Sequence, residues 1–135
     1  MSRSLPAAYD FSEIAVGVNI MIRDWNQYRK QLTNAVSELA VLSPETVRAY
    51  SALSAAGQHK DVLGARTREL IALAVAVTLR CDGCIATHTE AARRYGATDD
   101  ELAESLGVAT AVNAGATIVY STRVMDAAAQ RPEAR

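Results

Sequence analysis

The chain is poor in the residues that most often carry chemistry. It has two cysteines, two histidines, one tryptophan and one phenylalanine in 135 residues. Aromatics are 5% of the sequence while apolar residues are 50%, with alanine abundant. That balance disfavours an aromatic-rich β-sandwich and favours closely packed helices. Charge of one sign is lacking too: the formal net charge is −1, with acids and bases interspersed. No basic stripe is left to neutralise a row of phosphates, so nucleic acid is not an expected partner. The N-terminus, MSRSLPAAYD, has no signal-peptide core, and the richest apolar stretch, Leu70 to Leu79, is about half the length needed to cross a bilayer. The expectation is a cytoplasmic protein with no membrane partner. Neither GxGxxG nor GxxxxGK[ST] occurs, so no nucleotide cofactor is expected. Fixed-period repeats and low-complexity tracts are also missing.

Against these absences, one cluster stands out. Both cysteines and one of the histidines fall within eight positions, Cys81-Asp82-Gly83-Cys84-Ile85-Ala86-Thr87-His88. In a reducing cytosol a permanent structural disulfide is disfavoured, which leaves redox catalysis, redox sensing or metal binding as uses for such a pair.

Hydrophobic spacing places the cluster in an all-α chain of about six helices. Tyr28, Leu32, Ala35, Val36, Leu39 and Ala40 recur every three or four residues after Trp25. Ser43-Pro44 supplies an N-cap and a first-turn proline for a second helix ending near Gly57. Arg66 to Arg80 is apolar on nearly every side and is expected to be the buried central helix. Ile85 to Tyr95 forms the next, stopped by Gly96. Thr98 to Glu101 reads as a capping box that opens a fifth helix through Ala109, and Asn113-Ala114-Gly115 loosens the pattern before a sixth containing Ile118 and Met125. Residues 1–22 read as an N-terminal extension and 23–130 as one domain. Val16, Val18, Ile20, Met21 and Ile22 of the extension are candidates for an interface.

Residues three and four apart share a helix face, so Cys81, Cys84 and His88 line up if a helix starts at or just before Cys81. A thiol becomes nucleophilic on ionising, and a neighbouring histidine or the free amides of a helix N-terminus favour that thiolate. A second thiol lets an oxidised sulfur be trapped as a disulfide and later reduced by exchange. Glu69 is the fourth candidate. It lies about 18 Å of helix rise before Cys81, but an antiparallel return of the following helix brings His88 back about 10 Å toward it. The order would be carboxylate, histidine, thiol, an arrangement that orients a base. Three other readings remain open on residue types alone. Glu69 also reads as an acid complementing a helix dipole, Cys81, Cys84, His88 and His59 together offer four zinc donors, and two cysteines at this spacing also occur by chance as ordinary thiols in a helical protein.

The run Glu69-Leu70-Ile71-Ala72-Leu73, the CDGCIATH segment, Ala91, Ala92 and Gly96 together resemble the AhpD-like, carboxymuconolactone decarboxylase family. The similarity extends through Glu101-Leu102, Glu104, Leu106-Gly107-Val108-Ala109 and residues 113 to 120, and covers roughly residues 44 to 128. It implies an all-helical fold assembling as a homotrimer or homohexamer. In the AhpD branch it implies a thiol-dependent peroxidase or disulfide oxidoreductase, acting between a hydroperoxide and a lipoyl- or thioredoxin-type dithiol donor or a peroxiredoxin. By position, Cys84 would attack, Cys81 would be its disulfide partner, and His88 and Glu69 would relay protons. AhpD has a second histidine between its cysteines where this chain has Gly83. The alternatives are a decarboxylase acting on a small lactone acid, a branch that generally lacks the cysteine pair, and a non-enzymatic redox-sensing helical oligomer.

Overall fold

A computed structural model describes residues 22–130 of the chain, which form five helices and, among the described residues, no strand. They are α1 (Trp25–Leu42), α2 (Pro44–Ala56), α3 (Gly64–Leu79), α4 (Asp82–Arg94) and α5 (Asp99–Ala129). Helix α3 packs on both α4 and α5, and α1 packs on α2 and α4.

Local chemistry explains most of the boundaries. Asp24 caps α1, its carboxylate accepting from the Gln27 amide at 2.9 Å. Pro44 opens α2 as its first residue. The Ser43 hydroxyl, however, donates to Thr46 Oγ1 at 2.8 Å instead of accepting from an amide, so Ser43 sits at the cap without capping. Helix α4 ends where Gly96 turns to φ +80°, and the amides of Gly96 and Ala97 bond back to Arg93 and Ala92. The capping box at Thr98 forms as read: the Glu101 amide donates to Thr98 Oγ1 at 3.1 Å, and the Thr98 amide donates to Glu101 Oε2 at 2.9 Å.

Two expectations are corrected. The break at Asn113-Ala114-Gly115 is not there, and α5 runs unbroken for 31 residues. Asn113 is held in register because its Nδ2 donates both to Ala109 O, one turn back, and to Thr78 Oγ1 on α3. A residue that weakens an isolated helix is thus fastened by its own helix and its neighbour. The unbroken helix also lengthens the apolar segment, giving α5 the length and composition to cross a membrane. The second correction concerns α3, which is central but not buried. Leu73 and Ala76 are its buried residues, while Ile71, Val75, Val77 and Leu79 are exposed. The interface candidates at 16 to 21 lie outside the described residues, and Ile22 is exposed.

The core is built from small side chains. Besides Leu73, the buried apolar residues are Ala76, Ala86, Ala92, Ala97 and Ala109. Alanines on facing helices let backbones approach closely, which fixes the spacing between α3 and α4 with little tolerance for added volume. Ala92, at 0% exposure, is the tightest of these positions. Ala92→Leu is expected to destabilise the fold by about 1 to 3 kcal/mol, read from urea denaturation at fixed protein concentration; an unchanged midpoint would contradict this packing.

Candidate active site

Two turn residues bring the site together. Arg80 closes α3 in the left-handed region, at φ 54° and ψ 42°, and its amide and that of Cys81 bond back to the α3 carbonyls of Val77 and Ala76. Only one residue later the chain starts α4, with Cys81 as its N-cap. A non-glycine residue in this conformation costs on the order of 1 to 2 kcal/mol, offset here by the hydrogen bonds it closes. The reversal lays α4 antiparallel on α3.

At the start of α4, the Cys81 sulfur accepts a hydrogen bond from the Cys84 amide at 3.2 Å. Cysteine therefore occupies the position normally held by serine, threonine or aspartate, and its sulfur faces the free amides of a helix N-terminus. Cys81 and Cys84 are joined as a disulfide, with Cα atoms 5.3 Å apart. Both residues are part-buried.

His88 lies one turn beyond Cys84 on the same face of α4. Its Nδ1 is 2.7 Å from Glu69 Oε2 on α3, with the Glu69 side chain 18% and the His88 side chain 34% exposed. The antiparallel return thus closes the gap between carboxylate and imidazole without an intervening water. Helix α3 begins at Gly64, so Glu69 sits in its second turn with no acid in the first. Its partner is the imidazole, and a helix-dipole role loses its position. A proton on Nδ1 donated to Glu69 leaves Nε2 with a lone pair for proton transfer. Glu69 and His88 therefore meet across α3 and α4, with Cys84 one turn from His88 and Cys81 at the N-cap of the same helix. His59 lies in the turn after α2, and among the described residues no three His, Cys, Asp or Glu side chains converge to hold a metal ion.

Three contributors from α1 and its N-terminal flank were not linked to the site by the sequence. Arg23 Nη1 donates to Asp82 Oδ2 at 2.8 Å, inside the CxxC segment. Arg29 donates from Nη1 to Ala86 O at 3.3 Å and pairs through Nε with Glu90 at 3.1 Å. Leu32 lies over Gly83, where an added Cβ would come within 3.1 Å of Leu32 Cδ2. A side chain at 83 would therefore require the end of Leu32 to give way by a few tenths of an ångström. Beside this junction, a groove of about 580 Å³ between α1 and α4 is lined by Asn26, Arg29, Lys30, Leu32, Thr87 and Glu90. The signal for Arg23 was its charge beside an acid-bearing CxxC, but 59 residues of separation hid the pairing.

The sequence profile of the Carboxymuconolactone decarboxylase family matches residues 44–127, which is α2 through nearly all of α5. The chain belongs to that family. Among relatives of the chain, an uncharacterized protein of Haemophilus influenzae is 46% identical over 107 residues, covering 79% of this chain and 95% of its own length. Uncharacterized protein 4 in the cox locus of Paracoccus denitrificans is 38% identical over 77 residues, 57% of this chain and 69% of its own. An apo carboxymuconolactone decarboxylase family protein from Legionella pneumophila has a similar structure, with a TM-score of 0.62 and 31% identity over 76% of this chain and 92% of that one. The AhpD-like resemblance and the all-helical fold of this family are thus shared by sequence and structure. Helix α1, which covers the CxxC segment from the other side, precedes the matched residues.

Orientation by Glu69 has a direct readout in this family member. Nitrogen NMR of His88 is expected to place the neutral-imidazole proton on Nδ1, and Glu69→Leu should shift the tautomer balance toward Nε2–H. An unchanged tautomer ratio would mean that Glu69 does not orient the ring.

Proposed function

We propose that this protein is a thiol-dependent peroxidase or disulfide oxidoreductase of the AhpD type. The observation that carries the reading is the 2.7 Å contact between Glu69 and His88, with His88 one turn from Cys84 and Cys84 paired with Cys81. A structural cysteine pair needs no carboxylate-held imidazole on the same helix face. A peroxidatic pair uses one to move protons.

The reaction divides into three balanced steps. His88 Nε2 accepts the Cys84 thiol proton, and the thiolate attacks the terminal oxygen of a hydroperoxide. The O–O bond breaks, Cys84 becomes a sulfenic acid, and the departing alkoxide takes the proton from His88 and leaves as alcohol. Cys81 then attacks the Cys84 sulfur as thiolate; the S–S bond forms, and the departing hydroxide leaves as water with the Cys81 proton. An external dithiol finally reduces the disulfide, supplying two electrons and two protons and becoming a disulfide itself. A lipoyl- or thioredoxin-type dithiol has the right chemistry for this last step, and a peroxiredoxin is the alternative recipient if the pair relays electrons onward. These are reactions of a reducing, cytoplasmic compartment.

The protein works as an assembly of copies in this reading, a homotrimer or homohexamer. Exposed Ile71, Val75 and Leu79 of α3 adjoin Val108 and Val112 of α5 around a groove of about 430 Å³. Farther along α5, Ile118, Val119, Val124 and Met125 are exposed as well. Among the described residues no large side chain is fully buried. A fold whose own core is mostly alanine gains its main apolar burial by covering these faces with further copies.

Cys84→Ser and Cys81→Ser are each expected to abolish turnover of an organic hydroperoxide with a dithiol donor, and His88→Ala to slow it about 10²-fold. Undiminished activity in either serine variant, or carboxylactone turnover that survives loss of both thiols, would overturn the peroxidase reading. Sedimentation should give several times the 14.4 kDa chain mass, falling toward that mass in Val112→Glu/Ile118→Glu. A wild-type monomer at micromolar concentration would contradict assembly.

A further inference from the structure

Arg23 precedes α1 and is fixed by three contacts. Its guanidinium lies 4.8 Å from the Tyr28 ring centroid and 5.5 Å from that of Trp25, and it donates to Asp82 at 2.8 Å. Helix α1 is held against α4 by further contacts, with Leu32 over Gly83 and Arg29 bonded to Ala86 O and Glu90. The Arg23 charge is thus delivered to the first turn of α4, next to Cys81. This contact comes from outside the residues that match the family profile.

We propose that Arg23 is a positioning residue for the cysteine pair, cancelling the Asp82 charge so that Cys81 can leave as a thiolate. The proposal rests on the redox reading of the pair and names the group that sets its reactivity. In the reductive step a donor thiolate attacks Cys84 Sγ. The Cys81–Cys84 bond breaks, its electron pair passes to Cys81 Sγ, and the donor sulfur becomes bonded to Cys84. The new anion on Cys81 lies at the helix N-cap, where the Cys84 amide already points at it. Asp82, the next residue, opposes that anion unless its own charge is met. The charged and titratable groups around the site are Asp82, His88 and Glu90 on α4, Glu69 on α3, Arg80 in the turn before Cys81, and Arg23 and Arg29 from α1 and its flank; Glu69 is engaged with His88, Arg29 with Glu90, and Arg23 is the cation placed on Asp82.

The signature of this role is a pair of effects with opposite signs. Both side chains of the ion pair are about half exposed, at 44% and 48%, so solvent screens the field and the effects are modest. Arg23→Gln is expected to slow reduction of the disulfide by dithiothreitol on the order of threefold at low salt. Asp82→Asn should accelerate it by a similar factor, and Arg23→Gln/Asp82→Asn should return near the wild-type rate. Arg23→Lys should retain most of the wild-type rate. In a Cys84→Ser background, titration of Cys81 by thiolate absorbance should move up with Arg23→Gln and down with Asp82→Asn, both shifts shrinking at high salt. A merely structural contact would slow both single variants alike and leave the Cys81 titration unmoved, and that result overturns the proposal, as does an Arg23→Gln variant indistinguishable from wild type. If dithiothreitol reduces wild-type protein but no peroxide is turned over, the peroxidase reading fails while the Arg23 proposal is still decided by the rates. If the wild-type disulfide resists reduction, the Cys81 titration decides it.

Discussion

The contact between Glu69 and His88 spans two helices, and it closes at hydrogen-bond distance because the residues packed between the α3, α4 and α5 backbones are mostly alanines. Widening the α3–α4 separation by the bulk of one leucine would open a 2.7 Å contact to a distance at which water competes for both partners. The same close approach depends on the left-handed turn at Arg80, which reverses the chain in a single residue and makes Cys81 the first cap of the returning helix. Packing, turn and site are therefore one construction. The alanines set the spacing, Arg80 sets the direction, and the register that follows places the carboxylate opposite the imidazole.

Much of this was legible because the signals are local. The Thr98 capping box, the Gly96 stop and the three- and four-residue spacing of α1 each involve residues within one or two turns, and each formed as read. The Glu69–His88 pairing was also accessible, since helix rise and an antiparallel return are enough to match their heights. What was not legible depends on partners far along the chain. Asn113 reads as a helix breaker until Thr78, 35 residues away, is seen to hold its amide. Arg23 and Leu32 act on the CxxC segment from a helix whose own pattern says nothing about its target. The exposure of α3 misled for a related reason. Apolar spacing reports which faces avoid water, without saying whether the cover comes from the same chain.

That distinction matters for how the site is held. Helix α5 packs on α3 alone among the described helices, yet it carries a long exposed apolar face. That face adjoins α3, the helix that carries Glu69. The site is thus covered by α1, which comes from the same chain and is fastened by ion pairs that can be altered one charge at a time, while the apolar face of α3 and α5 is exposed.

Leu32 and Gly83 share one small volume across two helices, since a Cβ at 83 would meet Leu32 Cδ2 at 3.1 Å. Because the crowding atom is the end of a flexible side chain, a side chain at 83 is admitted only as far as Leu32 turns aside. A histidine at this position, as in the AhpD pattern, would have to push Leu32 aside, so the CxxC turn is coupled to α1 through shape as well as through charge.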